Sequence, residues 1–273
     1  MSKVWFITGV SRGFGREWAQ AALERGDKVA ATARKTETLQ DLVEKFGDRI
    51  LPISLDVTNR EDCFEAVDRA QQELGRLDIV VNNAGYGQFG FIEELSEKEA
   101  RDQMETNVFG ALWITQAALP HLRKQKAGHI LQVSSIGGIS AFQNIGIYNA
   151  SKWALEGFSQ ALAAEVAGFG IRVTLVEPAA YDTDWGGASA KHATAIEDYA
   201  KAKEIAAAMR KARTSKPGNP AATAAVIMKL VDMKAPPLRL FLGEAPLGIA
   251  KADYEKRLAL WEQYQPLAIE AQG

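Results

Sequence analysis

The stretch Thr8-Gly9-Val10-Ser11-Arg12-Gly13-Phe14-Gly15 decides the fold. It follows the apolar run Val4–Thr8 and leads into the amphipathic run Gly15–Arg25, so it reads as a turn from a buried strand into a helix. Small residues there let the backbone approach a pyrophosphate. The helix N-terminus adds free N–H groups and the positive end of its dipole. The spacing is not G-x-G-x-x-G, because Trp18 takes the third glycine's place, and no Gly-Lys-Ser/Thr follows as in a P-loop.

Outward from this turn, Lys28–Ala33, Ile50–Leu55, Ile79–Asn82, Ile130–Ser134 and Arg172–Val176 are further β-branched runs without in/out alternation. Strands of that kind belong in a parallel sheet covered on both faces. Between them lie helical patterns at Glu37–Phe46, Arg60–Leu74, Glu97–Leu122 and Tyr148–Val166. The alternation predicts an α/β fold: one Rossmann-like domain over residues 1–273, with a doubly wound parallel sheet and helices on both faces. After Pro178 the Ala-, Lys- and Glu-rich stretch Asp184–Arg213 reads as one or two surface helices. Residues 184–216 are expected to form a lid after the sixth strand, where such sheets hold their ligands. Residues 217–273 then complete the domain with a helix from about Ala221 to Met233, a strand at Leu238–Leu242 and a helix around Tyr254–Tyr264.

Composition narrows the function. In 273 residues, 32 Lys and Arg stand against 34 Asp and Glu, a net charge of −2, which argues against a general nucleic-acid or membrane-surface binder. The single cysteine, Cys63, excludes an intramolecular disulfide and a Cys-rich metal cluster, and fits a reducing compartment. His121, His129 and His192 lack ligand spacing, so no metal is expected. The apolar stretch at the N-terminus is too short for a signal segment, and no run approaches the ~20 apolar residues of a membrane span. A cytoplasmic protein without nucleic-acid or membrane partners is expected.

The end of the second strand speaks to the cofactor. An NAD site puts an acid there; this chain has Ala31-Thr32-Ala33-Arg34-Lys35 and no acid until Glu37. The planar, permanently charged fork of Arg34, helped by Arg12 and Lys35, suits the 2′-phosphate of NADP(H). Further on, Tyr148 and Lys152 stand one helical turn apart on one face. An ammonium there favours tyrosinate and draws the phenol toward working pH, as a general acid or base requires.

In order along the chain come Thr8-Gly-x-x-x-Gly13-x-Gly15, Asn82-Asn-Ala-Gly85, Ser135 thirteen residues before Tyr148, and Tyr148-x-x-x-Lys152. Together they closely resemble the short-chain dehydrogenase/reductase family, from residue 3 to about 185. The resemblance implies an NADP(H)-dependent oxidoreductase interconverting a carbonyl and an alcohol. Tyr148 then exchanges a proton with the substrate oxygen, which Ser135 hydrogen-bonds. Lys152 holds the nicotinamide ribose and lowers the Tyr148 pKa, and Asn107 anchors a water in the proton relay. Gly9, Ser11, Arg12, Gly13, Phe14 and Gly15 cradle the cofactor. Asp56 and Val57 meet its adenine, Asn82, Ala84 and Gly85 line it, and Pro178 and Thr183 reach the nicotinamide. The family's assembly also implies a homodimer or homotetramer paired through the helices at Glu97–Leu122 and Tyr148–Val166.

One departure stands at Glu177-Pro178-Ala179-Ala180-Tyr181-Asp182-Thr183, where the family has Pro-Gly. If residue 179 needs a positive φ, alanine costs on the order of 1 kcal/mol. Phe91, Phe142, Ile145, Tyr181 and Trp185 are expected to wall a substrate pocket for a hydrophobic carbonyl or alcohol. A nucleotide-sensing protein without turnover, and a dehalogenase or lyase on the same fold, are the alternatives.

Overall fold

Strands buried on both faces need helices above and below, and the chain supplies them alternately. A computed structural model describes residues 2–187, 189–211 and 216–273. Its strands are β1 (Val4–Ile7), β2 (Lys28–Ala33), β3 (Ile50–Ser54), β4 (Ile79–Asn82), β5 (Gln88–Phe89), β6 (Gly128–Val133), β7 (Ile171–Pro178), β8 (Lys191–His192) and β9 (Arg239–Leu242). Seven of them form one sheet in the order β3-β2-β1-β4-β6-β7-β9, every neighbour parallel. This is the doubly wound sheet that the sequence predicts.

The helices are α1 (Gly13–Glu24), α2 (Gln40–Phe46), α3 (Arg60–Leu74), α4 (Glu97–Met104), α5 (Gly110–Gln125), α6 (Gly146–Val166), α7 (Ala200–Lys211), α8 (Pro220–Asp232) and α9 (Ala245–Glu270). One core layer gathers Trp18, Leu23, Leu42, Ile227 and Leu230, from α1, α2 and α8. The opposite layer gathers Val67, Ile114, Leu122, Leu162 and Val166, from α3, α5 and α6. Strand order reverses between β1 and β4, so a crevice opens at their carboxyl ends.

Three expectations are corrected. The helix expected over Glu97–Leu122 is interrupted by a wide π turn at Glu105–Phe109. There Asn107 turns its carboxamide onto the backbone of Tyr86: Nδ2 donates to the carbonyl at 3.1 Å, and Oδ1 accepts from the N–H at 3.1 Å. The stretch expected to be helical from Asp184 contains β8, which pairs in parallel with β5, and its longer helix begins only at Ala200. Residues 188 and 212–215 of that expected lid lie outside the described residues. The last helix runs far beyond Tyr254–Tyr264, from Ala245 to Glu270, opened by Pro246 in its first turn.

Trp18, where a third glycine would stand, is fully buried, stacked at 5.5 Å on Phe14, and donates through Nε1 to Thr223 Oγ1 at 2.7 Å. It therefore binds α1 to α8. Trp18→Ala should cost about 3–5 kcal/mol of unfolding free energy by leaving a large cavity. Trp18→Phe should cost less, because Thr223 loses the indole donor but still bonds the Pro220 carbonyl at 2.6 Å; denaturant titration of both variants checks the order.

Candidate active site

The glycine-rich turn is held by its neighbour across the switch point. The backbone N–H groups of Asn83 and Ala84 donate to Thr8 Oγ1 at 2.9 and 3.0 Å. Asn83 Nδ2 donates in return to the carbonyls of Thr8 and Gly9 at 2.8 and 3.0 Å. So clamped, the turn runs through Gly9 at φ +71° and Gly13 at φ +61°, conformations that glycine adopts without strain. It delivers α1 with extended Arg12 at its N-cap and no side chain capping the helix, leaving the first N–H groups open to the crevice.

The crevice is a cleft of about 1730 Å³. Gly9, Ser11, Arg12, Gly13 and Phe14 line one end, with Arg34, Asp56 and Val57 beside them. Ala84, Gly85, Pro178 and Thr183 line its middle, and Ser135, Tyr148 and Lys152 its far wall. A long cleft with an uncapped helix N-terminus, a glycine turn and arginines at one end fits a phosphorylated dinucleotide.

Three predicted residues stand outside the lining, and Asn107 lies directly behind it: a methyl group on Gly85 would meet its Oδ1 at 3.1 Å and Lys152 Nζ at 3.8 Å. Asn82 points away from the cleft, its Nδ2 donating to Thr115 Oγ1 at 3.0 Å beneath α5, and Asn83 is the residue that works on the turn. Gly15 lies behind the turn against Asn83. The Asn107 carboxamide is engaged by Tyr86 and, through Nδ2, by Ser151 Oγ at 3.2 Å, within a nearly fully buried setting. Phe91 packs edge-on against Tyr199 at 5.1 Å and is no wall of the cleft. Tyr86, Phe89 and Ile249 take part in the lining instead, and nothing in the local sequence of Tyr86 or Ile249 marks them.

Ser135 is placed by the end of β6 and Tyr148 by the first turn of α6. Ser135 Oγ accepts from the Gly137 N–H at 3.0 Å and stands near enough to the Tyr148 phenol to favour its ionised form. Tyr148 is only 7% exposed, because the Trp185 indole lies over it with ring centroids 4.8 Å apart. The indole in turn rests on Gly87, where a methyl group would stand 2.6 Å from it, and on Phe89 at 5.2 Å. Burial pushes the phenol up to about 12, against the pull of the neighbouring Ser135 hydroxyl. The expected lowering by Lys152 is not seen. Its Nζ donates to the Val133 carbonyl at 2.7 Å and lies 5.7 Å from the Tyr148 ring centre. Burial takes Lys152 itself down to about 8, opposed by Glu156.

Two further features bear on the site. Arg12 Nη1 meets Asp184 Oδ2 at 2.6 Å beside the glycine-rich turn, and Lys203 Nζ meets the buried Glu94 at 2.5 Å, so Asp184 and Lys203 are each tied to the body. Ala179 and Ala180 have no positive φ, so the penalty considered for alanine there does not arise. Among the described residues, no cluster of His, Cys, Asp and Glu offers a metal site, and no helix is long and apolar enough to cross a membrane.

A parallel sheet opened at its switch point by such a turn defines a dinucleotide-binding protein of the Rossmann type. The sequence profile described as short chain dehydrogenase matches residues 3–194. Oxidoreductase BOA17 of Botryotinia fuckeliana is 42% identical over 271 residues, 98% of this chain and 99% of its own length. A 3-ketodihydrosphingosine reductase of Bacteroides thetaiotaomicron is 37% identical over 245 residues, 88% of each chain. The crystal structure of a short-chain dehydrogenase from Streptomyces avermitilis, 39% identical, matches 99% of both chains with a TM-score of 0.92. More distant solved structures, 28% and 26% identical, carry NADP and NADH respectively. The chain belongs to the short-chain dehydrogenase family of oxidoreductases.

Behind Lys152 sits a buried carboxyl pair. Arg239 Nε lies 3.0 Å from Glu156 and 3.4 Å from the fully buried Glu177. Burial, and then the Glu156 charge, push Glu177 up to about 9, against the pull of Arg239. The folded state thus holds a proton that the unfolded chain releases near its ordinary 4.5. That contribution to stability is complete below pH 4.5 and is lost as pH rises toward 9. Glu177→Gln should therefore gain stability relative to wild type between pH 5.5 and 8, read as the difference in urea midpoint across that range.

Proposed function

We propose that the protein is an NADP(H)-dependent oxidoreductase that interconverts a hydrophobic ketone or aldehyde and its alcohol, with Tyr148 exchanging the proton. The observation that carries this reading is the convergence of Ser135, Tyr148 and Lys152 on the wall of a dinucleotide-sized cleft, with Lys152 one helical turn from Tyr148. Ser11, Arg12 and the first N–H groups of α1 would hold the phosphates, and Arg34 the 2′-phosphate. Asp56 and Val57 would border the adenine, Ala84 and Gly85 the middle of the cofactor, and Pro178 and Thr183 the nicotinamide. The cofactor, when bound, supplies or accepts the hydride.

The chain's own share is orientation and a proton. Ser135 fixes the substrate oxygen beside the phenol. A phenol held near 12 keeps its proton at neutral pH, yet is still a stronger acid than an alcohol, so it can protonate an oxygen that becomes an alkoxide. Accepting a proton from an alcohol requires ionised Tyr148. Oxidation should therefore climb steadily from pH 7 to 10, while reduction does not climb with it.

Phe142, Ile145, Tyr181 and Trp185 make the reacting end apolar, and a relative 37% identical is named for reduction of a ketone. In this reading the described residues of the 184–216 stretch act as a lid, with Trp185 as the part that yields to substrate. Supporting that role are the Arg12–Asp184 and Glu94–Lys203 pairs and the short β5–β8 ladder.

The testing experiment follows nicotinamide absorbance with NADPH and with NADH across ketones, aldehydes and α-substituted carbonyls. Turnover favouring NADPH is expected, and Arg34→Ala should raise KM for NADPH while sparing that for NADH. Tyr148→Phe should lower kcat by about 10²–10⁴-fold with nucleotide binding intact. Nucleotide binding without turnover on any carbonyl would instead favour a sensing role.

A further inference from the structure

We propose that Glu156 is the counter-ion of Lys152: one turn further along α6 and on the same side, it supplies the negative charge that keeps the lysine a cation at the cleft wall. Lys152 is buried. Among the described residues its Nζ meets one acceptor, the Val133 carbonyl at 2.7 Å, and no carboxylate within ion-pairing distance. An ammonium so withdrawn from water needs a negative charge nearby to stay charged. Glu156 is equally withdrawn, at 5% exposure. A methyl group on Gly138 would stand 3.0 Å from Glu156 Cγ and 3.2 Å from the Lys152 carbonyl, so both residues lie under that one turn. The field of the Glu156 carboxylate favours the charged lysine and is what works against burial there. Glu156 thus acts through Lys152 and touches no reacting atom.

A buried carboxyl serves as counter-ion only while it is ionised, and its neighbours arrange that. Arg239 Nε, from β9, approaches Glu156 Oε2 at 3.0 Å, and Arg239 Nη2 donates to Gln160 Oε1 at 2.8 Å, which holds the guanidinium in place. Glu177, from β7, stands farther from Arg239 at 3.4 Å. It is fully buried and neither of its oxygens accepts a hydrogen bond, so of the two carboxyls it is the one that keeps a proton. Glu156 Oε1 has no donor either, so one carboxylate stands between two cations with half of it unengaged. The other charged groups on the elements packed against α6 are held elsewhere. Arg172 of β7 bonds the Met233 carbonyl, and Arg257 of α9 bonds the Ile139 carbonyl and pairs with Asp253. On α4, Asp102 pairs with Lys98 and Glu99 bonds Ser96 and Gln88; Glu105 and Tyr148 line the cleft. The consequence rests on the reading in which Lys152 holds the nicotinamide ribose. An ammonium has three N–H donors, and Val133 takes one of them, leaving the others for the ribose hydroxyls.

The test reads the charge of Lys152 without turnover. Acetic anhydride acetylates only the neutral amine, so labelling of the Lys152 peptide against pH, followed by mass spectrometry with the exposed Lys98 as internal standard, gives its titration midpoint. The comparison is made on the full chain carrying Glu177→Gln, where residue 177 cannot take over the charge, with and without Glu156→Gln or Glu156→Asp. Glu177→Gln alone should titrate near 8, as the wild type does. Adding Glu156→Gln should lower the midpoint by about one pH unit or more, making Lys152 close to tenfold more reactive at pH 6. Adding Glu156→Asp, which keeps the charge, should restore most of the shift. NADPH binding, followed by tryptophan fluorescence, should weaken with Glu156→Gln at pH 8 and recover at pH 6, where the lysine is charged again; a purely structural defect would not recover. A Lys152 midpoint that Glu156→Gln leaves unchanged in the Glu177→Gln background overturns the proposal. A lowered midpoint in a protein that turns over no carbonyl upholds the counter-ion and removes the oxidoreductase reading instead.

Discussion

The clamp between Thr8 and Asn83 is the constraint on which the site depends. It joins the ends of β1 and β4 where the strand order reverses, using one hydroxyl and one carboxamide to satisfy four backbone groups. A loop holding those groups itself would have to fold over the crevice. With Asn83 bonding them from behind, the front of the turn and the first N–H groups of α1 stay open, and the cleft can receive an anion there. The rest of the cleft is arranged relative to that edge: β6 brings Ser135, α6 brings Tyr148 and Lys152, and β7 brings Pro178.

The far wall is governed by desolvation rather than by attraction between charges. Tyr148 and Lys152 are close enough to influence one another, yet burial raises the one and lowers the other, so both drift toward neutrality. The same force acts one layer deeper, where Glu177 keeps its proton beside Glu156 and Arg239. Trp185 contributes by covering the phenol. A polar occupant of the cleft that displaced the indole would change the surroundings of Tyr148 and thereby its acidity.

What the sequence made legible was local. The strand–turn–helix at residues 4–24, the Ser135–Tyr148–Lys152 spacing and the alternation of elements depend on neighbours along the chain, and the structure brings those residues to one cleft. What stayed hidden depends on side-chain direction set by distant packing. Asn82 and Asn83 are chemically identical neighbours, and only the pleat of β4 decides which one faces the turn. Asn107 sits in a wide turn that no helical periodicity marks, and Phe91 is drawn off the cleft by Tyr199. The β5–β8 ladder joins residues about a hundred positions apart. In α9, alternate stretches of one row face first protein and then solvent, so the pattern reads as an ordinary helix to its end.

The bond from Trp18 to Thr223 ties helices 205 residues apart in the chain. On the ribosome, the first strand–helix unit emerges with Trp18 still lacking the helix that it bonds. Until α8 has been made, Trp18 lacks both the helix that α1 packs on and the partner of its indole N–H. Completion of the nucleotide-binding half is thus a late event in synthesis, timed by the carboxyl-terminal part of the chain.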